Sequence, residues 1–224
     1  MTKEQQFFDA PSPDCDALGP EEQDILQEIM NIGFGSAATD LAGVIDIHIQ
    51  FSASTIAIIH SAELIGFIRK NSPDVAEISV IEQNFWSKFK GTTMLTFTVG
   101  AGRALLRLMG AENEEQTFES DPMRILEKEM LMEIGNILSG ACVGKIAELL
   151  GNFVIYSPPR VLIGTFENAN LSKIAGAQGN FITILQTSFN FGEQDLSGGL
   201  FLIISHDSII WLRSALKNFL SQYK

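Results

Sequence analysis

Residues 22–42, moved forward by 105 positions, fall on residues 127–147 with eight identities: Glu22, Leu26, Glu28, Ile29, Asn31, Ile32, Gly35 and Ala42 become Glu127, Leu131, Glu133, Ile134, Asn136, Ile137, Gly140 and Ala147. An internal repeat constrains the fold more than any single motif, because both copies must find similar surroundings. Five of the eight are apolar or small, which core packing alone explains. Glu22, Glu28 and Asn31 are not, and they need another reason.

The local patterns repeat with the identities. Pro20 followed by Glu21 and Glu22 suits the first turn of a helix. Ile25, Leu26, Ile29 and Ile32 then recur at helical spacing, to about Ile45. Gly33 and Gly35 inside that helix would each cost about 1 kcal/mol relative to Ala, so they point to close approach by another helix or a partner. Alternation through Ile47, Ile49 and Phe51 predicts a strand, and the run Ile56–Ile59 a second. Ser61 is placed to cap a short helix over 62–70. Strands follow over 76–89 and 92–99, then a helix over 101–109 and a polar linker over 111–121. The order then starts again. Asp121 and Pro122 open a helix to about Leu150; strands follow over 153–155 and 160–163, and a short helix over 167–174. Strands over 181–191 and 200–205 come next, and Asp207 is placed to cap a last helix over 208–220.

The predicted fold class is α+β, a single domain with an internal pseudo-two-fold duplication. Two long helices, about 20–45 and 122–150, should pack on one antiparallel sheet built from half-repeats of about 20–110 and 122–221. Residues 1–19, with Pro11, Pro13, Asp14 and Asp16 and no periodicity, read as a flexible acidic tail before the domain at 20–224.

With 46% hydrophobic residues, the chain can bury a sizeable core. A formal net charge of −12 excludes nucleic acid as a natural partner and favours one with a basic patch. Cys15 and Cys142 form no CxxC pair and no zinc spacing, as expected of reduced thiols in a cytoplasmic protein. The first ten residues lack the apolar core of a signal peptide, and no run reaches the roughly 18 consecutive apolar residues of a membrane span. GAGRAL (100–105) begins like a dinucleotide fingerprint, but Leu105 stands at its third glycine, so a tight strand-to-helix turn is the better reading. GFGSAA (33–38) lies inside a helix. His48, His60 and His206 are isolated, so no metal site is expected.

The chemistry lies in EIMN (28–31) and EIGN (133–136). Residues three apart on a helix share a face, so Glu28 and Asn31 point the same way, as do Glu133 and Asn136. Asp24 and Glu129, four residues earlier, extend each stripe. Ile25, Ile29 and Ile32, or Met130, Ile134 and Ile137, should anchor the opposite side. A single Glu on a helix surface is ordinary. Asn is a poor residue in mid-helix, and its return at the same register in both halves calls for a role.

These residues resemble the motif of the CheC, CheX and FliY phosphatases of bacterial chemotaxis. That motif is Asp or Ser, three residues, Glu, two residues, Asn, then twenty-two residues and Pro. The first copy has Asp24, Glu28 and Asn31, with Ser54 in place of the proline; the second has Glu133, Asn136 and Pro159, with Glu129 where Asp or Ser stands. NIGFGSAATDLAG (31–43) and NILSGACVGKIAELLG (136–151) are also similar to the family's helices, and the resemblance covers about residues 20–220. It implies a protein aspartyl-phosphate phosphatase acting on a CheY-type response regulator. Asn31 and Asn136 would fix a water in line with phosphorus. Glu28 and Glu133 would pair with the receiver's Lys, with Asp24, Glu129 and Pro159 in support. The receiver would bring its own Mg2+, so no metal site is implied here. Two motifs and this length favour CheC over the shorter CheX, and over FliY, which carries a further motor domain. CheC often pairs with the deamidase CheD, an implied second partner. A monomer without membrane insertion is expected. The alternative is a non-catalytic binding adaptor of the flagellar-switch or CheD type with the same fold, although the FliM middle domain lacks the Glu–Asn pairs kept here.

Overall fold

The computed structural model describes residues 18–45, 48–72, 78–98, 100–108, 121–164, 181–191 and 196–221. Helix α1 (Pro20–Ile45) leads to strands β1 (Gln50–Phe51) and β2 (Thr55–His60), helix α2 (Leu64–Lys70), strands β3 (Ile78–Trp86) and β4 (Lys90–Thr98) and helix α3 (Ala101–Leu108). Helix α4 (Asp121–Leu149) is followed by β5 (Ile155–Tyr156), β6 (Arg160–Gly164), β7 (Phe181–Asn190), β8 (Ser197–Ile204) and helix α5 (Ile209–Ser221). The linker before Asp121, the short helix at 167–174 and residues 1–17 of the expected tail lie outside the described residues.

All eight described strands join one antiparallel sheet in the order β1-β7-β8-β4-β3-β5, with β2 also on β7 and β6 also on β3. The edge strands of each half therefore pair with the long strand of the other half. β4 and β8 meet in the middle.

Side chains alternate across a strand, and here both sets are buried at the sheet centre. Along β8, Leu200, Leu202 and Ile204 join Leu95, Phe97, Phe189 and the apolar faces of α1, α3, α4 and α5. Phe201 and Ile203 face the other way, with Met94, Val80 and Ile184, under Leu64 and Ile68 of α2. That two-sided burial explains why LFLII reads as a continuous apolar run. α4 alone among the described helices is long and apolar enough to cross a membrane, and half of that stretch is buried within the protein. Cys142, on α4, is a core residue; burial pushes its thiol pKa far up, so it stays protonated.

The long helices sit close to their neighbours at two glycines. A Cβ on Gly33 would lie 3.1 Å from Ile146 Cγ1 of α4, and one on Gly135 would lie 2.5 Å from Ile81 Cγ2 of β3. Gly35 and Gly140, the pair the repeat shares, have open space around them. The shared Glu22 and Glu127 also find matching structural roles. Glu22 accepts from Arg213 of α5 at 3.0 Å and from the Gly19 N–H at 2.9 Å. Glu127 makes a charge contact with Arg103 of α3 at 2.8 Å, without the alignment of a hydrogen bond.

Three local expectations change. Leu18, expected in the tail, is 3% exposed and belongs to the main core. His60, not Ser61, caps the short helix: its Nδ1 accepts from the Ala62 N–H at 3.2 Å, and Glu63 reaches back to the His60 N–H. Asp207 lies within a 3-10 turn, His206–Ser208, and pairs with Lys90 at 3.0 Å. Gly135→Ala should lower stability by about 1–3 kcal/mol through forced displacement of Ile81 or α4. Gly140→Ala should instead be neutral or stabilising by up to about 1 kcal/mol. Urea denaturation of the two variants checks both signs.

Candidate functional site

Asp24, Glu28 and Asn31 of α1 are exposed, as are Glu129, Glu133 and Asn136 of α4. Leu26, Ile29 and Met30 on the first helix, and Leu131 and Ile134 on the second, are buried and hold the stripes outward. Ile32, expected on the anchoring side, is 44% exposed beside Asn31; its repeat partner Ile137 packs half-buried on the core. None of the four stripe carboxylates has an ion-pair partner among the described residues. Each stripe thus offers uncompensated negative charge at i,i+4 spacing, which a cation would relieve.

The two amides are held by different means. At the first site, Asn31 Oδ1 accepts from the Ser54 N–H at 3.0 Å. Gln27, one turn before it, donates to the Ser54 carbonyl at 2.6 Å. A proline at position 54 would have no N–H to give. At the second site that position is Pro159, and the donor is a side chain instead. Gln83 Nε2, on β3, donates to Asn136 Oδ1 at 2.7 Å and to the Ser157 carbonyl at 2.8 Å. Gln83 is 1% exposed. An amide oxygen has two lone pairs, so each Asn keeps one acceptor position and its own N–H donors for another molecule.

Glu129, Met132, Glu133, Asn136 and Pro159 line one depression of about 320 Å³. The four motif positions of the second copy are therefore four of its five walls, with Met132 added by the helical turn. Sequence reasoning missed Gln83 and Gln27. Gln83 had a readable signal: it sits at the same strand parity as Ile81 and Phe85, both buried, so a polar side chain occupies an apolar register.

The CheC-like family model matches residues 21–52, the stretch that holds Asp24, Glu28 and Asn31. The chain is 24% identical over 187 residues to the flagellar motor switch phosphatase FliY of Bacillus subtilis, covering 82% of this chain and 46% of that protein. It thus spans about half the length of that curated relative. Its structure matches FliY of Thermotoga maritima with a TM-score of 0.68 at 22% identity, over 91% of this chain and 99% of the other. The chain has a CheC-type fold. The CheC-type fold extends to FliM in the FliM–SpeE complex of H. pylori, with a TM-score of 0.59 at 12% identity over 90% of this chain and 97% of that one. It extends also to the CheX–CheY–BeF3–Mg2+ complex of Borrelia burgdorferi, with a TM-score of 0.50 at 13% identity over 78% and 97%. At these identities the structural likenesses speak for the fold.

The two tethers make unequal demands on stability. Asn31→Ala leaves a backbone N–H of buried Ser54 without its partner, whereas Asn136→Ala leaves Gln83 Nε2 its second bond, to Ser157. Both substitutions gain the same helix propensity. Asn31→Ala should therefore be the less stable by about 1 kcal/mol, read from urea unfolding midpoints at equal m-values.

Proposed function

We propose that this chain of CheC-type fold is a phosphatase that hydrolyses the aspartyl phosphate of a CheY-type response regulator. The observation that carries the reading is the geometry of the Glu–Asn pairs: two exposed amides, each with one lone pair fixed by the scaffold, each one turn from an unpaired carboxylate. The likeness to a CheX bound to CheY supports the choice of partner.

In the proposed reaction Asn31 or Asn136 enters the receiver's active site and holds a water opposite the aspartyl oxygen. The water oxygen bonds to phosphorus as the bond to the aspartyl oxygen breaks. The receiver regains a carboxylate, and the water's proton leaves with inorganic phosphate. Orientation is the main contribution such an amide can make, as in other phosphoryl transfers. Glu28 and Glu133 pair with the receiver's Lys and set the register. Mg2+ belongs to the receiver, and no side chain here acts as a nucleophile. The proposal includes a cytoplasmic, monomeric protein, with CheD as a second partner. The likeness to FliM favours one other reading, a flagellar-switch adaptor that binds without catalysis.

The test is the dephosphorylation rate of a phosphorylated CheY-type receiver in Mg2+, with and without the protein. Wild type should accelerate it, and the double variant Asn31→Ala, Asn136→Ala should lose the acceleration while still binding. Full activity in that variant would end the phosphatase reading. Binding without any acceleration by wild type would leave the adaptor. Glu28→Gln combined with Glu133→Gln should act mainly on KM, raising it about tenfold, because a docking ion pair is made before the chemical step.

A further inference from the structure

The two halves support their asparagines on different materials. Sheet register makes Thr187 of β7 the counterpart of Gln83: Gln83 faces Thr93 on β4, and Thr187 faces Leu200 on β8. The repeat makes Phe34 the counterpart of Ser139, one turn beyond Asn31 and Asn136 respectively. Under the second site these positions are Gln83, Thr93 and Ser139, and all three are buried. Thr93 Oγ1 donates to the Gln83 carbonyl at 3.0 Å and shares a hydrogen bond with Ser139 Oγ, also at 3.0 Å. Under the first site the same positions hold Thr187, Leu200 and Phe34. Thr187 Oγ1 is too short to serve Asn31 and donates to the Ser52 carbonyl at 2.7 Å, which corresponds to the Ser157 carbonyl at the other site.

A polar track in the core needs a reason, because each buried polar atom must be satisfied to be neutral for stability. This one is not fully satisfied: Gln83 Oε1 is buried without a hydrogen-bond partner. An apolar residue of the same length would remove that defect. Gln83 is nonetheless the donor that stands in for the N–H Pro159 lacks. We infer that Gln83 is the positioning residue of the second site, fixing the plane of the Asn136 amide, and that the first site does without it because the Ser54 N–H does the same for Asn31. The inference rests on the proposed function for its kinetic consequence, and on geometry alone for the tether.

Gln83→Met keeps the length and volume of the side chain and removes the donor. In an Asn31→Ala background, so that turnover reports the second site, it should lower kcat about 10- to 100-fold and leave KM within about twofold. The melting temperature should change little, since losing the Nε2 bonds to Asn136 and to the Ser157 carbonyl is offset by removal of the buried, unpaired Oε1. A residue with a merely structural role would lower the melting temperature instead. Added to Asn136→Ala, the substitution should cost no further activity. A second measurement needs no activity: the Asn136 side-chain amide, followed by 15N relaxation, should be ordered in wild type and become mobile in Gln83→Met. An amide equally ordered in both proteins overturns the inference, as does an unchanged kcat or a fall in kcat that only follows lost stability. If wild type does not accelerate dephosphorylation but the amide is freed by Gln83→Met, the tether stands and the phosphatase reading falls.

Discussion

The ladders joining β2 to β7 and β6 to β3 cross between the halves of the chain, and the arrangement of both sites depends on them. Because an edge strand of one half lies on the long strand of the other, the segments entering those edges, at Ser52–Ser54 and Ser157–Pro159, are fixed from two directions. A helix of the same half meets them from one side. A polar side chain of the opposite half, Thr187 or Gln83, holds a carbonyl from the other. Each stripe is therefore set against a strand entrance whose position neither half defines alone. The close contacts at Gly33 and Gly135 keep the helices near enough for those hydrogen bonds to form.

Much of this was legible in the sequence, for physical reasons. Helices α1 and α4 announce themselves by 3.6-residue periodicity, and the stripes follow from helix geometry once the periodicity is known. The strands at the sheet centre were found to within three residues at each end. Other features turn on contacts between distant residues. Ile32 has the spacing of a core position but lies where no neighbour covers it. Leu18 follows a stretch with no pattern, yet belongs to the main core. β1 and β5 are two-residue ladders, each interrupted for three residues before the chain rejoins the same partner strand as β2 or β6. Gln83 lies 53 positions from Asn136, and periodicity does not say which helix crosses above a given strand residue.

The departures from the family pattern look different with the structure in hand. Ser54 for Pro is not simply a loss, since the N–H it restores is the one that Asn31 accepts. Pro159 creates the opposite need, and Gln83 meets it from the core. The same geometric requirement, one fixed lone pair on a surface amide, is met once by backbone and once by a buried side chain. The identities Glu22 and Glu127 belong to the scaffold, where each meets an arginine of the last helix of the other half. Of the three polar identities in the repeat, only the Glu–Asn pair is left facing solvent without a structural partner for its carboxylate.

The crossed ladders also set the order in which the chain can assemble. Ser52 and Thr187, joined by a hydrogen bond, are 135 positions apart in sequence. During synthesis the first half leaves the ribosome with β2, carrying Ile56, Ile58 and Ile59, as an apolar edge whose partner does not yet exist. Pairings at such separation form slowly, and an unpaired apolar edge is open to wrong partners until they do. The interval between translation of β2 and of β7 is thus the period in which this protein most needs protection from its neighbours.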